Sequence, residues 1–175
     1  MHEFSQQDLD YVTRADEVLW GALLLALTVA IHGTGMLLTL RATNSVRDRT
    51  REVQSRLPAV GLGIVILGAW IIVFVHLIEV ALWAAFFVLK GAQPNIFTAF
   101  YNAMLNYTTL QSGYLPLRWR LLEGMLGMSG LLTLAWSTSI LFILAQEFME
   151  QVQKDRKKRQ SRSAPALHHG SGDSG

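Results

Sequence analysis

The chain has no cysteine among its 175 residues. That excludes disulfide scaffolds, thiolate zinc sites and thiol nucleophiles. Charge is also scarce, at 16% of residues against about 25% in ordinary soluble domains. The formal net charge of +2, from 15 basic and 13 acidic residues, is too slight to argue for a nucleic-acid partner. No glycine-rich phosphate loop, His-Glu-x-x-His helix or Ser/His/Asp arrangement is present, so no enzyme is expected and no cofactor is implied. No apolar run carries a regular arginine ladder, so voltage sensing of the usual kind is not expected. The 30 residues after Ala145 are too few for a folded ligand-binding module, so regulation by one on this chain is not expected either.

What the chain does have is long apolar runs. Residues 18–40 and 124–145 carry no formal charge, and residues 60–89 are broken only by His76 and Glu79. About 20 apolar residues suffice to cross roughly 30 Å of hydrocarbon. Three such runs in a chain of this length point to an integral membrane protein with three spans. The first 17 residues are acidic (Glu3, Asp8, Asp10, Asp16 and Glu17 against Arg14), which is the reverse of a signal peptide.

Loop charge sets the expected orientation. Arg41, Arg47, Arg49, Arg51 and Arg56 follow the first run, and Lys154, Arg156, Lys157, Lys158, Arg159 and Arg162 follow the last. With both clusters in the cytoplasm, the N-terminal segment 1–17 lies outside. The first span is 18–40, 41–57 is a basic inner loop, 58–148 holds the other two spans, and 149–175 is an inner tail. An integral membrane location is expected. The tail after Lys154 offers contact to anionic lipid at about 1 kcal/mol per basic residue, or simply continues the helix in solvent. Its small, polar end (161–175) reads as disordered, and His168 and His169 read as a mobile pair rather than a metal site.

Residues 92–118 are too polar to span and too apolar for an ordinary loop. Pro94 suits the first turn of a helix, and Ile96, Phe97, Phe100, Met104 and Tyr107 follow at helical spacing. Thirteen or so residues rise only about 20 Å. Thr108, Thr109, Leu110, Gln111, Ser112, Gly113 and Tyr114 then read as an extended return that Pro116 ends. Non-helical backbone at membrane depth survives only when buried in protein or lining a water-filled cavity. Periodicity alone leaves two readings open: a re-entrant pore loop, or an interfacial helix followed by an outer loop. In the first, carbonyls and threonine hydroxyls replace the hydration shell of an ion, and a closed ring of copies is needed to surround it.

Tyr107-Thr108-Thr109-Leu110, then Gly113-Tyr114 and Trp119-Arg120-Leu121-Leu122, resemble the pore region of bacterial potassium-channel-like proteins of the two-transmembrane pore-loop superfamily. His76-Leu77-Ile78-Glu79 with Trp83-Ala84, and Ala135-Trp136-Ser137-Thr138, add to the resemblance, which covers roughly residues 18–148. It implies an all-α membrane protein with an extra N-terminal span, an outer helix 58–89, a pore helix 94–107, a filter at 108–114 and an inner helix 119–148. It further implies a homotetramer in a bacterial inner (plasma) membrane, passing monovalent cations, potassium among them, with no partner but lipid and itself. The family filter reads Thr-Val-Gly-Tyr-Gly or Thr-Leu-Gly-Tyr-Gly. Here Gln111 stands at the first glycine, Ser112 at the tyrosine and Tyr114 at the following aspartate; only Gly113 keeps its type. Ion selectivity therefore stays open. The alternatives are a non-conducting or regulatory membrane subunit of the same fold, or a transporter working through intramembrane His and Glu.

His76 and Glu79, three residues apart, share a helical face and lie about 26–30 Å along the axis from Ala59. The sequence favours a polar pair that fixes packing. A metal site is not expected, because no third ligand is near in sequence. His32 reads as a structural histidine. Gly124, Gly127 and Gly130 recur every three residues and read first as close-packing positions, with Gly130 a candidate hinge. Glu123 reads as a surface ion-pair partner of Arg118 or Arg120.

Overall fold

The computed structural model describes residues 15–56, 58–110 and 113–163. Among these residues the structure is all-helical. Helix α1 spans Ala15–Arg56, α2 Pro58–Leu89, α3 Ile96–Tyr107 and α4 Arg120–Ser163, with a 3₁₀ turn at Leu117–Trp119 before α4. Helices α1, α2 and α4 are each long and apolar enough to cross a membrane. Because a helix rises 1.5 Å per residue, the 12 residues of α3 extend only about 18 Å.

The basic stretch expected as an inner loop is helical instead, continuing α1 to Arg56. Charge sets the side of the membrane on which a segment stays, but it does not break a helix. No glycine or proline occurs between Arg41 and Leu57, so the first break comes at Pro58. The same holds for the tail: α4 runs past 148 to Ser163, while residues 164–175 lie outside the described residues. Helix α2 has the expected bounds. Helix α3 starts two residues later than expected, because Asn95 is its N-cap, accepting a hydrogen bond from the Thr98 N–H at 2.9 Å. Pro94 therefore precedes the cap rather than occupying the first turn.

Helices α1 and α2 are antiparallel. Contacts that step forward along α1 step backward along α2: Lys90 sits over the Trp20 ring at 4.0 Å, the Trp83 indole donates to Thr28 at 2.9 Å, and Gly35 admits the Val75 side chain. Helix α4 runs parallel to α1, from Arg118–Asp16 at one end (3.4 Å) to Arg47–Glu147 at the other (2.5 Å). Two apolar clusters result. One gathers Trp83, Phe87, Ala99, Ala103, Trp119, Leu122 and Leu126 around α3. The other joins Met36, Ile72, Val75, Ile140 and Leu144 toward the basic ends. The threonines inside these helices satisfy themselves, as Thr39 and Thr43 do by donating to carbonyls one turn back.

Only 33, 28 and 33% of the most apolar windows of the three spans is buried. Large apolar side chains such as Trp70, Phe74, Leu131 and Phe142 point outward. An apolar exterior this extensive marks a membrane or association surface in a water-exposed protein, and in lipid it carries no penalty.

The glycines of α4 differ in kind. A Cβ on Gly130 would collide with the Tyr107 carbonyl, one on Gly127 would press on the Asn106 carbonyl at 3.2 Å, and one on Gly124 would meet nothing within 4 Å. The C-terminal end of α3 thus rests directly on the α4 backbone. Gly130→Ala is expected to lower unfolding stability in detergent by about 1–3 kcal/mol, the usual range for overpacking, whereas Gly124→Ala leaves it unchanged within about 0.5 kcal/mol.

Candidate functional site

Between the two apolar clusters lies a polar layer drawn from all four helices. Glu79 (0% exposed) is at its centre. The His32 Nδ1–H of α1 donates to Glu79 Oε1 at 2.8 Å, and the Tyr107 hydroxyl of α3 donates to Oε2 at 2.5 Å. His76 Nδ1 lies 2.6 Å from the same phenol oxygen and 3.4 Å from Oε2. Ser137 of α4 stands behind both imidazoles, its Oγ 2.9 Å from His76 Nε2 and 3.4 Å from His32 Nε2. Thr133 Oγ1 lies 2.6 Å from the Tyr107 oxygen. Trp136 closes the side, its ring 5.3 Å from that of His32.

An ionised carboxylate in this setting is costly unless its lone pairs are filled. Here both oxygens accept charge-assisted hydrogen bonds, one from the first span and one from α3. Glu79 therefore fastens α1 to the C-terminal turn of α3 through α2. The His76/Glu79 pair was legible as an i, i+3 face. His32 and Tyr107 join it only through the antiparallel register of α1 and α2 and the seating of α3, so the absence of a third ligand near in sequence did not carry over to space. Each of His32, His76 and Glu79 offers one ligand atom, and these lie within 4.8 Å of one another.

The second element is the segment after α3. Thr108 caps the helix, its N–H and hydroxyl donating to the Met104 carbonyl. The next residue, Thr109, takes φ +65°, and Gly113 takes φ +62°. Left-handed backbone costs a non-glycine residue roughly 1–2 kcal/mol, so a threonine there is held by its surroundings: its N–H donates to the Asn106 carbonyl at 2.9 Å and that of Leu110 to the Leu105 carbonyl at 2.8 Å. Thr108, Thr109, Leu110, Gly113 and Tyr114 are exposed on the single chain. Gln111 and Ser112, the departures from the family filter, lie outside the described residues. On the return, the Leu115 N–H donates to Glu123 Oε1 at 3.1 Å, so Glu123 supports the loop backbone from α4. Arg118 pairs with Asp16 of α1 instead. Gly113, Leu115, Arg120, Glu123 and Gly124 line a recess of about 550 Å³ beside this return.

Thr138 and Ser139 of α4 donate back to the Leu134 and Ala135 carbonyls and face outward; only their neighbour Ser137 reaches the polar layer. Compared with protein-family models, curated proteins and solved structures, the chain matches none.

Proposed function

We propose that this chain is an ion channel or channel-like membrane protein, in which α3 is a re-entrant pore helix. Four copies bring residues 108–114 to a common axis and pass monovalent cations, potassium among them. One observation carries the reading: a helix too short to cross is fastened between two spanning helices, and the irregular backbone at its C-terminal end is exposed on the single chain. Leu110 is 70% exposed there, and Phe97 on the outer face of α3 is 85% exposed. Symmetric copies would cover the helix face and let the backbone turn toward the axis, where irregular structure is tolerated. The C-terminal end of α3 carries the partial negative charge of the helix dipole, which suits a cation.

A non-conducting subunit of the same fold is the second reading, favoured by the non-glycine residue Thr109 in the left-handed region. A His/Glu transporter has less support, because Glu79 and His32 are both fully buried. Reconstitution separates the three. The channel reading expects potassium-driven flux in liposomes that Thr109→Ala and Gly113→Ala alter. Flux absent under potassium, sodium and calcium gradients leaves the subunit reading. Flux lost in His76→Ala but kept in both loop variants points to the transporter.

Orientation has its own test, since the chain has no cysteine to remove. A cysteine at Pro94 is expected to react with an impermeant maleimide from outside intact cells, and one at Arg49 only after lysis. Labelling in the reverse order would invert the proposed topology.

A further inference from the structure

We propose that the polar layer is a binding site for one divalent transition-metal ion of the zinc class, held by His32 Nδ1, His76 Nδ1, a Glu79 carboxylate oxygen and the Tyr107 oxygen.

His32, His76 and Glu79 each present one ligand atom, and these atoms lie within 4.8 Å of one another, although His32 and Glu79 are 47 residues apart in sequence. The Tyr107 oxygen lies 2.5 Å from Glu79 Oε2 and 2.6 Å from His76 Nδ1. Ser137 Oγ stands behind both rings, 2.9 Å from His76 Nε2 and 3.4 Å from His32 Nε2. Both Nδ1 atoms therefore turn toward the carboxylate and both Nε2 atoms toward one fixed oxygen.

With an ion in the middle, both Nδ1 atoms would present lone pairs inward and both Nε2 atoms would carry hydrogen. The Ser137 oxygen then accepts from both with its two lone pairs. That is the usual outer support of a metal-bound histidine, whose second nitrogen donates to a fixed acceptor and so sets the ring. Thr133 Oγ1, 2.6 Å from the phenol oxygen, would support the fourth ligand by turning its hydroxyl from the Ser129 and Gly130 carbonyls to donate to it.

The donor set fits in kind and size. Two imidazoles with a carboxylate is a zinc-type set, and bonds of about 2.0–2.1 Å place tetrahedral ligand atoms about 3.3 Å apart. The His32, His76 and Glu79 ligand atoms lie within 4.8 Å of one another and the Tyr107 oxygen lies 2.5 Å from Glu79 Oε2 and 2.6 Å from His76 Nδ1, so small side-chain shifts bring the set to tetrahedral spacing. Charge balances as well. The two positive charges meet the Glu79 carboxylate and a Tyr107 phenolate, and the phenol proton leaves to solvent on binding. A neutral site is the form that a low-dielectric layer tolerates. The ion would join α1, α2 and α3 at one point, with α4 behind it. None of this requires that the protein conduct.

The test uses the full chain in detergent, without a histidine tag and with His2, His168 and His169 replaced by alanine so that only the buried histidines remain as imidazole ligands. After equilibration with zinc and gel filtration, one zinc per chain is expected. An ultraviolet tyrosinate band is expected to appear on zinc binding and to be absent in Tyr107→Phe, and cobalt is expected to give four-coordinate visible absorption. His32→Gln and His76→Gln abolish uptake, and Ser137→Ala weakens it roughly 10–100-fold. Zinc also raises the unfolding temperature of the parent chain but not of His32→Gln. A folded parent chain that takes up no stoichiometric zinc overturns the proposal. So does uptake unchanged in His32→Gln. Should a ligand variant fail to fold, the stoichiometry and tyrosinate band of the parent chain decide.

Discussion

Glu79→Ala is expected to lower unfolding stability in detergent by roughly 2–4 kcal/mol, from one stranded buried donor and the space the side chain vacates. Two effects compete. Single side-chain hydrogen bonds between membrane helices average only about 0.6 kcal/mol, so counting lost bonds predicts a small change. Glu79 differs because its loss leaves the His32 Nδ1–H without its acceptor in a fully buried position, while the Tyr107 hydroxyl keeps Thr133 and His76 beside it. A stranded donor bears a desolvation penalty of about 1–3 kcal/mol, and that effect wins. Trp83→Phe supplies the contrast. It removes one bond, from the indole to Thr28 at 2.9 Å, and leaves a hydroxyl that still donates to the Leu24 carbonyl at 2.9 Å. Its expected loss is about 0.5–1.5 kcal/mol. Equal losses in the two variants, measured by chemical denaturation in one detergent, would mean that Glu79 is not the fastening point.

The second large effect is expected at Gly113. A Cβ there meets nothing within 4 Å, so the penalty of Gly113→Ala is conformational, arising from φ +62°. About 1–2 kcal/mol of left-handed strain reduces the population of the native loop roughly tenfold per chain, since about 1.4 kcal/mol is a factor of ten. If four loops must adopt it together, the factors multiply and flux falls by up to about four orders of magnitude. Gly91 is a matched control. It has φ +66° and nothing near its Cβ position, and it follows α2, outside residues 108–114. Gly91→Ala is expected to bear the same strain and leave flux within about twofold, because that strain enters no step of conduction. Comparable losses of flux in both variants would remove the special role of residues 108–114.

The spans were readable because length and apolarity are local properties. Helix α2 spans Pro58–Leu89, the range that the resemblance implied for the outer helix, and Gly91 with φ +66° follows it. Helix ends set by the absence of a breaker were not foreseen. The arginines after residue 40 and the basic residues after 148 look like loop by composition, yet nothing there interrupts hydrogen bonding along the helix. In the polar layer, His76 and Glu79 were visible as neighbours on one face. The His32–Glu79 contact joins residues 47 apart in sequence and depends on the relative height of two antiparallel helices. Tyr107 carried no such signal: its role depends on α3 resting against Gly127 and Gly130 of α4, and the three-residue recurrence of glycine marked a close-packing face without showing that Tyr107 would reach Glu79 from it. Glu123, beside two arginines in sequence, turned out to hold the Leu115 backbone, because the chain between them folds back toward α4.

Conduction through this fold requires four chains sharing one axis, and particle mass tests that most directly. Native mass spectrometry of the full chain released from a mild detergent is expected to find four chains, with Tyr114→Cys cross-linking between copies under oxidation. A chain that is monomeric across detergents, with Tyr114→Cys never cross-linking, would contradict it.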